Sequence, residues 1–192
     1  MNYATRNLED DHVNILRLID VMEIMVQVDE PNVVHLEEVV DLIRNYADGL
    51  HHAKEESLLF PLMAERGFSM LQGPIAVMLQ DHTDGRNYVK GIAENIQLLK
   101  EGDLSALNLV YHNMLGYADL LRNHIAKENS VLFRMADNAL TPSDHQSLIE
   151  QFAQIEGQSD TSTLKTGFVT RIEKLIHVYN PMQQTIQTEV IN

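Results

Sequence analysis

Two segments of the chain are near copies of each other, and both carry residues suited to holding a metal ion. His51 opens HHAKEESLLFPLMA and His124 opens HIAKENSVLFRMA. Aligned without gaps, His51 falls on His124 and Glu55 on Glu128, inside a shared H-x-A-K-E-x-S-x-L-F frame. Each His–Glu pair has i,i+4 spacing, which on a helix puts imidazole and carboxylate on one face, a turn apart. Two further histidines, His12 and His82, each follow an aspartate, Asp11 and Asp81. Imidazole together with carboxylate suits iron, and also manganese or zinc. Four imidazoles and two carboxylates buried together without a cation would leave polar groups unpaired, at roughly 1–3 kcal/mol each. A symmetric assignment gives one ion His12 and His51 and the other His82 and His124, with Glu55 and Glu128 bridging. Each ion then keeps open positions for water, an oxo bridge, O₂, NO or peroxide.

Helices must carry these residues. Leu8 to Val28 is amphipathic, with Leu8, Ile15, Leu18, Ile19, Met22 and Met25 recurring at three- and four-residue steps. Asp29-Glu30-Pro31-Asn32 breaks it, and Asn32 can cap a second helix over 33–66, weakened at Gly49 and bent near Pro61. A third helix is predicted over 74–100 and a fourth over 104–138. Connections this short make neighbouring helices antiparallel, so the fold class is all-α, an up-down-up-down four-helix bundle. Two residues of an antiparallel hairpin lie level when the turn sits midway between them. The midpoint of 12 and 51 falls at Pro31-Asn32, that of 82 and 124 at Gly102-Asp103, and that of 55 and 82 beside Gly67. All three connections therefore set these residues at one height.

Thr141-Pro142-Ser143-Asp144 starts a further helix to about Ile155, and Leu164 to Tyr179 another. The chain thus divides into a bundle (1–140), a C-terminal helical appendage packed on it (141–179) and a tail (180–192).

Composition excludes several classes. The net charge of −14 argues against nucleic acid as a partner. The absence of cysteine removes disulfides, iron–sulfur ligation, thiolate zinc sites and cysteine nucleophiles. No run of about 18 apolar residues predicts a membrane span, and the acidic start MNYATRNLEDDH does not read as a signal peptide, so a cytoplasmic location is expected.

A lone His on the first helix, H-x-x-x-E with a following L-F-P on the second, D-H on the third and H-x-x-x-E on the fourth resemble the hemerythrin-like family, the HHE cation-binding domain, over residues 5–140. The resemblance implies a four-helix bundle with a non-haem di-iron centre, two irons per chain joined by an oxo or hydroxo bridge. Manganese or zinc is the lesser alternative. His12, His51, Glu55, His82, His124 and Glu128 are then the metal ligands. The family includes oxygen carriers, sensors of oxygen, nitric oxide or iron, and di-iron proteins that repair damaged iron–sulfur clusters. The implied partner is a small diatomic or peroxide ligand, and the implied role is stress-related. A non-enzymatic sensor signalling through the C-terminal helices, or a bundle with a purely structural metal, are the alternative functions. Oxygen carriers have a second His one turn after the third-helix His, where this chain has Arg86, and a fourth-helix Asp one residue beyond the place of Glu128. Repair proteins commonly carry an N-terminal segment with Cys, and this sequence has no Cys.

Several neighbours bear on the site. His52 and Glu56 also have i,i+4 spacing, but the second copy has Ile125 and Asn129 there, which favours His51 and Glu55 and turns His52 about 100° away, along the bundle wall. Asp11 and Asp81 either orient adjacent ligand histidines or are exposed charges. Tyr117 lies two turns before His124, at the site entrance or in the core. Glu9 reads as a solvated acid, Met22, Met25, Met63, Met78 and Met114 as core filler, and His35, His112, His145 and His177 as surface residues.

Overall fold

The computed structural model describes residues 3–28, 32–157 and 162–190, with side chains of the last helix over 165–180. Those residues are all-helical and contain no strand. Helix α1 is Thr5–Met25. It buries Leu8, Asp11, His12, Ile15, Leu18, Ile19, Met22 and Met25, the stripe its periodicity predicts. The break placed at Asp29–Pro31 lies outside the described residues. Helix α2 opens under Asn32, whose side chain accepts from the backbone N–H of Val34 and His35 at 3.0 and 3.3 Å. It is composite: α-helical Val33–Leu42, π-helical Ile43–His52, π-helical Glu55–Leu59, then α-helical Phe60–Glu65. Helix α3 is Gly73–Lys100. Helix α4 comprises Ala106–Lys127, a π turn at Glu128–Leu132 and Phe133–Ala139.

Side-chain contacts run in opposite order along each neighbouring pair. From α1 to α2, Asn7 meets Lys54, His12 meets His51 and Asn14 meets Tyr46. From α3 to α4, Asp81 meets Lys127 and His82 meets His124, and Tyr88 lies against Gly116. From α2 to α3, Glu37 meets Lys100 and Glu56 meets His82. From α1 to α4, His12 meets Asn129 and Asp20 meets Arg122. The α3–α4 pair packs tightly: a Cβ on Gly116 would stand 2.5 Å from the Tyr88 ring.

The π-helical runs matter most for the site. An i→i+5 turn is wider than an α turn, so each successive residue rotates through a smaller angle. One consequence is a close approach at Gly49, where a Cβ would sit 3.0 Å from the Arg44 carbonyl oxygen. The other is that His51 and His52 both face inward, at 1% and 5% exposure. The expectation that His52 lies along the bundle wall assumed α-helical phase.

Beyond the four helices, α5 (Pro142–Ile155) starts in a capping box in which Thr141 and Asp144 satisfy each other's backbone. Helix α6 is continuous over Ser162–Val190, through residues the sequence reading assigned to a tail from 180, of which 191–192 lie outside the described part. His145 is buried, not on the surface, because its Nδ1 accepts the Ala4 N–H at 3.2 Å where α5 meets the start of α1. His35 is half-buried, its Nδ1 2.9 Å from the Tyr179 hydroxyl on α6. The five singled-out methionines are all core residues. No helix among the described residues is long and apolar enough to cross a membrane.

Candidate metal centre

All six residues chosen from the sequence meet in one buried cluster, each at most 2% exposed. The imidazoles pair through their Nε2 atoms: His12 with His51 at 3.0 Å and His82 with His124 at 3.2 Å. Each glutamate touches one member of each pair. Glu55 Oε2 is 3.7 Å from His51 Nε2 and 3.5 Å from His82 Nε2. Glu128 Oε2 is 3.2 Å from His12 Nε2 and 3.3 Å from His124 Nε2. All four oxygens of these carboxylates are buried without a hydrogen-bond partner among the described residues. Leaving such groups unmatched is costly, and a cation held by each imidazole pair would match them.

The outward nitrogens follow the same approximate twofold pattern. His12 Nδ1 lies 2.8 Å from Asn129 Oδ1, and His82 Nδ1 lies 2.7 Å from Glu56 Oε1. Asn129 and Glu56 are equivalent positions of the repeat. His51 Nδ1 is 3.5 Å from Asp11 Oδ2, and His124 Nδ1 is 3.3 Å from Asp81 Oδ2. Each aspartate therefore faces not the histidine beside it in sequence but the one on the opposing helix. At His12, His82 and His124 the oxygen behind Nδ1 is within hydrogen-bond reach, so it directs Nε2 inward and fixes the tautomer; His51 Nδ1 lies near Asp11 without a hydrogen bond among the described residues.

A model of the hemerythrin HHE cation-binding domain family matches residues 3–136. The chain belongs to this family. Among curated proteins, the hemerythrin-domain chain is similar to the iron-sulfur cluster repair protein YtfE of Citrobacter koseri, 33% identical over 89 residues, 45% of this chain and 40% of the relative. The protein of the same name from Escherichia coli O157:H7 is 31% identical over 88 residues, with the same coverage of each chain. The match thus spans about two-fifths of the length of these relatives. No solved structure matches.

Electrostatics within the cluster follow from burial. Burial pushes the His51 imidazole down to about 4, and lowers His52 and His82 as well. Burial and the neighbouring Glu128 hold the Glu55 carboxyl well above its ordinary range. Burial also pulls Glu128 upward, but His124 and His12 outweigh it and keep that carboxyl low. Neutral imidazoles are the form that binds metal.

The surroundings of the two imidazole pairs differ. Behind His51, Asp11 is fully buried and receives Lys54 Nζ at 2.5 Å, Lys165 Nζ at 2.5 Å and the Tyr46 hydroxyl at 3.3 Å. Lys54, itself fully buried, also donates to Asn7 and Glu156 at 2.6 Å. Against His12 the Phe133 ring stacks at 5.5 Å. Beside His82 and His124, by contrast, lies a cavity of about 130 Å³, lined among others by His52, Asp81, Gly85, Arg86 and Tyr117. Arg86 is no free surface cation: its Nε donates to Asp48 at 2.9 Å and its Nη2 to Glu56 at 2.7 Å. Glu9 pairs with Arg6 and Arg134 and is not simply solvated.

His52 is the neighbour that sequence reasoning set aside and the structure brings in. The mismatch with Ile125 in the second copy spoke against it; the HH doublet followed by EE was the signal for it.

Proposed function

We propose that this chain is a hemerythrin-like non-haem di-iron protein of the cytoplasm that binds or reacts with O₂, NO or peroxide, or handles iron, in a stress-related role. The opposed contact order along all four helix pairs supports an up-down-up-down four-helix bundle with α5 and α6 appended. His12 and His51 would hold one iron, His82 and His124 the other, and Glu55 and Glu128 would bridge them. The single observation that carries this reading is the pair of buried carboxylates, without a hydrogen-bond partner among the described residues, each placed between one imidazole of each pair. Two irons held in this way would supply redox change and open positions for small ligands. The protein's own share is to orient the imidazoles through Asn129, Asp11, Glu56 and Asp81, and to admit small molecules from the cavity below Arg86. That the relatives are iron-sulfur cluster repair proteins fits an iron-handling, stress-related function for this domain.

A sensor reading has an observation of its own: Asp11 touches His51 on one side and Lys165 of α6 on the other. Ferrous reconstitution under anaerobic conditions, followed by addition of O₂, NO or peroxide, separates the two. Repeated consumption of peroxide or NO identifies an enzyme. A stable adduct that changes protease sensitivity over 141–190 identifies a sensor. One tightly bound zinc with no redox response contradicts both.

A further inference from the structure

We propose that His52 is a fifth imidazole donor to the ion held by His82 and His124. This deepens the two-iron reading and rests on it. The four other imidazoles share one arrangement, with Nδ1 facing an oxygen from another side chain and Nε2 facing the centre. His52 shares the outward half of that arrangement. Its Nδ1 lies 3.2 Å from Asp48 Oδ1, while its Nε2 is buried with no hydrogen-bond partner among the described residues. A neutral imidazole carries one N–H. With that hydrogen donated to Asp48, Nε2 presents a lone pair, the form that ligates.

Position assigns this lone pair to one half of the centre. The His52 ring lies against His82, with centroids 3.7 Å apart and planes 15° from parallel, and 5.7 Å from the His124 ring. Donor atoms of His52, Glu55, His82 and His124 all lie within 4.8 Å of one another. At metal–nitrogen distances of about 2.1 Å, two donors on one ion can stand up to about 4 Å apart, so the set closes on one ion once the His52 ring turns out of its stack on His82 and carries its in-plane lone pair toward the other donors. The other pair has no counterpart, because the repeat places Ile125 where the first copy has His52.

The same geometry gives Arg86 a task. It holds Asp48, which orients His52, and Glu56, which orients His82. The third helix thus contributes no imidazole at position 86, but it braces the carboxylates behind two imidazoles on this half. Arg86 is a positioning residue.

The test loads the full-length chain with Co(II) and compares it with His52→Ala, reading stoichiometry, the affinity of each ion and the visible d–d absorption. The proposal expects two ions in both proteins. One of them should bind more than about tenfold more weakly in the variant, with more intense absorption as the coordination number falls, and added free imidazole should restore the spectrum through the adjoining cavity. Arg86→Met should weaken the same ion in the unaltered background and have a smaller effect on top of His52→Ala, where only its hold on Glu56 behind His82 is left to lose. His52→Gln, which keeps a polar side chain of similar reach, should show the same loss and guards against a folding defect in the alanine variant. Two ions bound with unchanged affinity and spectrum in both His52 variants would overturn the proposal. An unaltered chain binding fewer than two ions would instead overturn the two-ion reading, and this proposal with it.

Discussion

The two imidazole pairs arise from one repeated motif, yet one is sealed and the other is open. The His12–His51 side lies beneath the end of α5 and α6, where the buried Lys54 and Asp11 form a charge network with the partly exposed Glu156 and Lys165. The His82–His124 side faces a cavity, and its equivalent lysine, Lys127, holds Asp81 while nearly half exposed. The motif places donors; the surroundings decide how solvent and small molecules reach them. This separates the residues that build the centre from those that give its halves different properties.

The comparison breaks most visibly at the two lysines. Replacing Lys54 by Met removes the fully buried cation between Asp11 and Glu156 and leaves only the partly exposed Lys165 beside them, so it is expected to cost about 3 kcal/mol in urea unfolding. A loss below about 1 kcal/mol would mean that water already reaches this side.

The next effect concerns pH in metal-stripped protein. Burial holds His51 at about 4 and also depresses His52 and His82, so both sides contribute. Below about 6.5 the unfolded chain takes up protons that the folded imidazoles refuse, so stability is full above that pH and falls as pH drops toward 4. Thermal melting between pH 7 and pH 5 should show the decline, and a flat profile would place solvent at these imidazoles.

The smallest effect is at Lys127. Its exposed pair with Asp81 is screened, so Lys127→Met should change stability by under about 1 kcal/mol. A loss matching that of Lys54→Met would erase the difference between the halves.

Much of this was legible in the sequence because periodicity and repetition report directly on helix faces. The repeat aligned His51 with His124 and Glu55 with Glu128, and the turn midpoints set the helices in register. The Gly102 turn behaves as that argument requires, with φ of 101°. His52 escaped because an α-helical phase was assumed where α2 winds as a π-helix. The partners of Asp11 and Asp81 escaped because they lie across helices, and sequence adjacency says nothing of them. Burial of Lys54 and His145 depends on where α5 and α6 dock, which no local pattern encodes.

The central claim is that two carboxylates bridge two ions, and iron stoichiometry under anaerobic titration tests it most directly. The unaltered chain should saturate at two irons, and Glu128→Ala should fall below two because one carboxylate shared by both ions is gone. Saturation at one iron in the unaltered chain, or at two in Glu128→Ala, would contradict it.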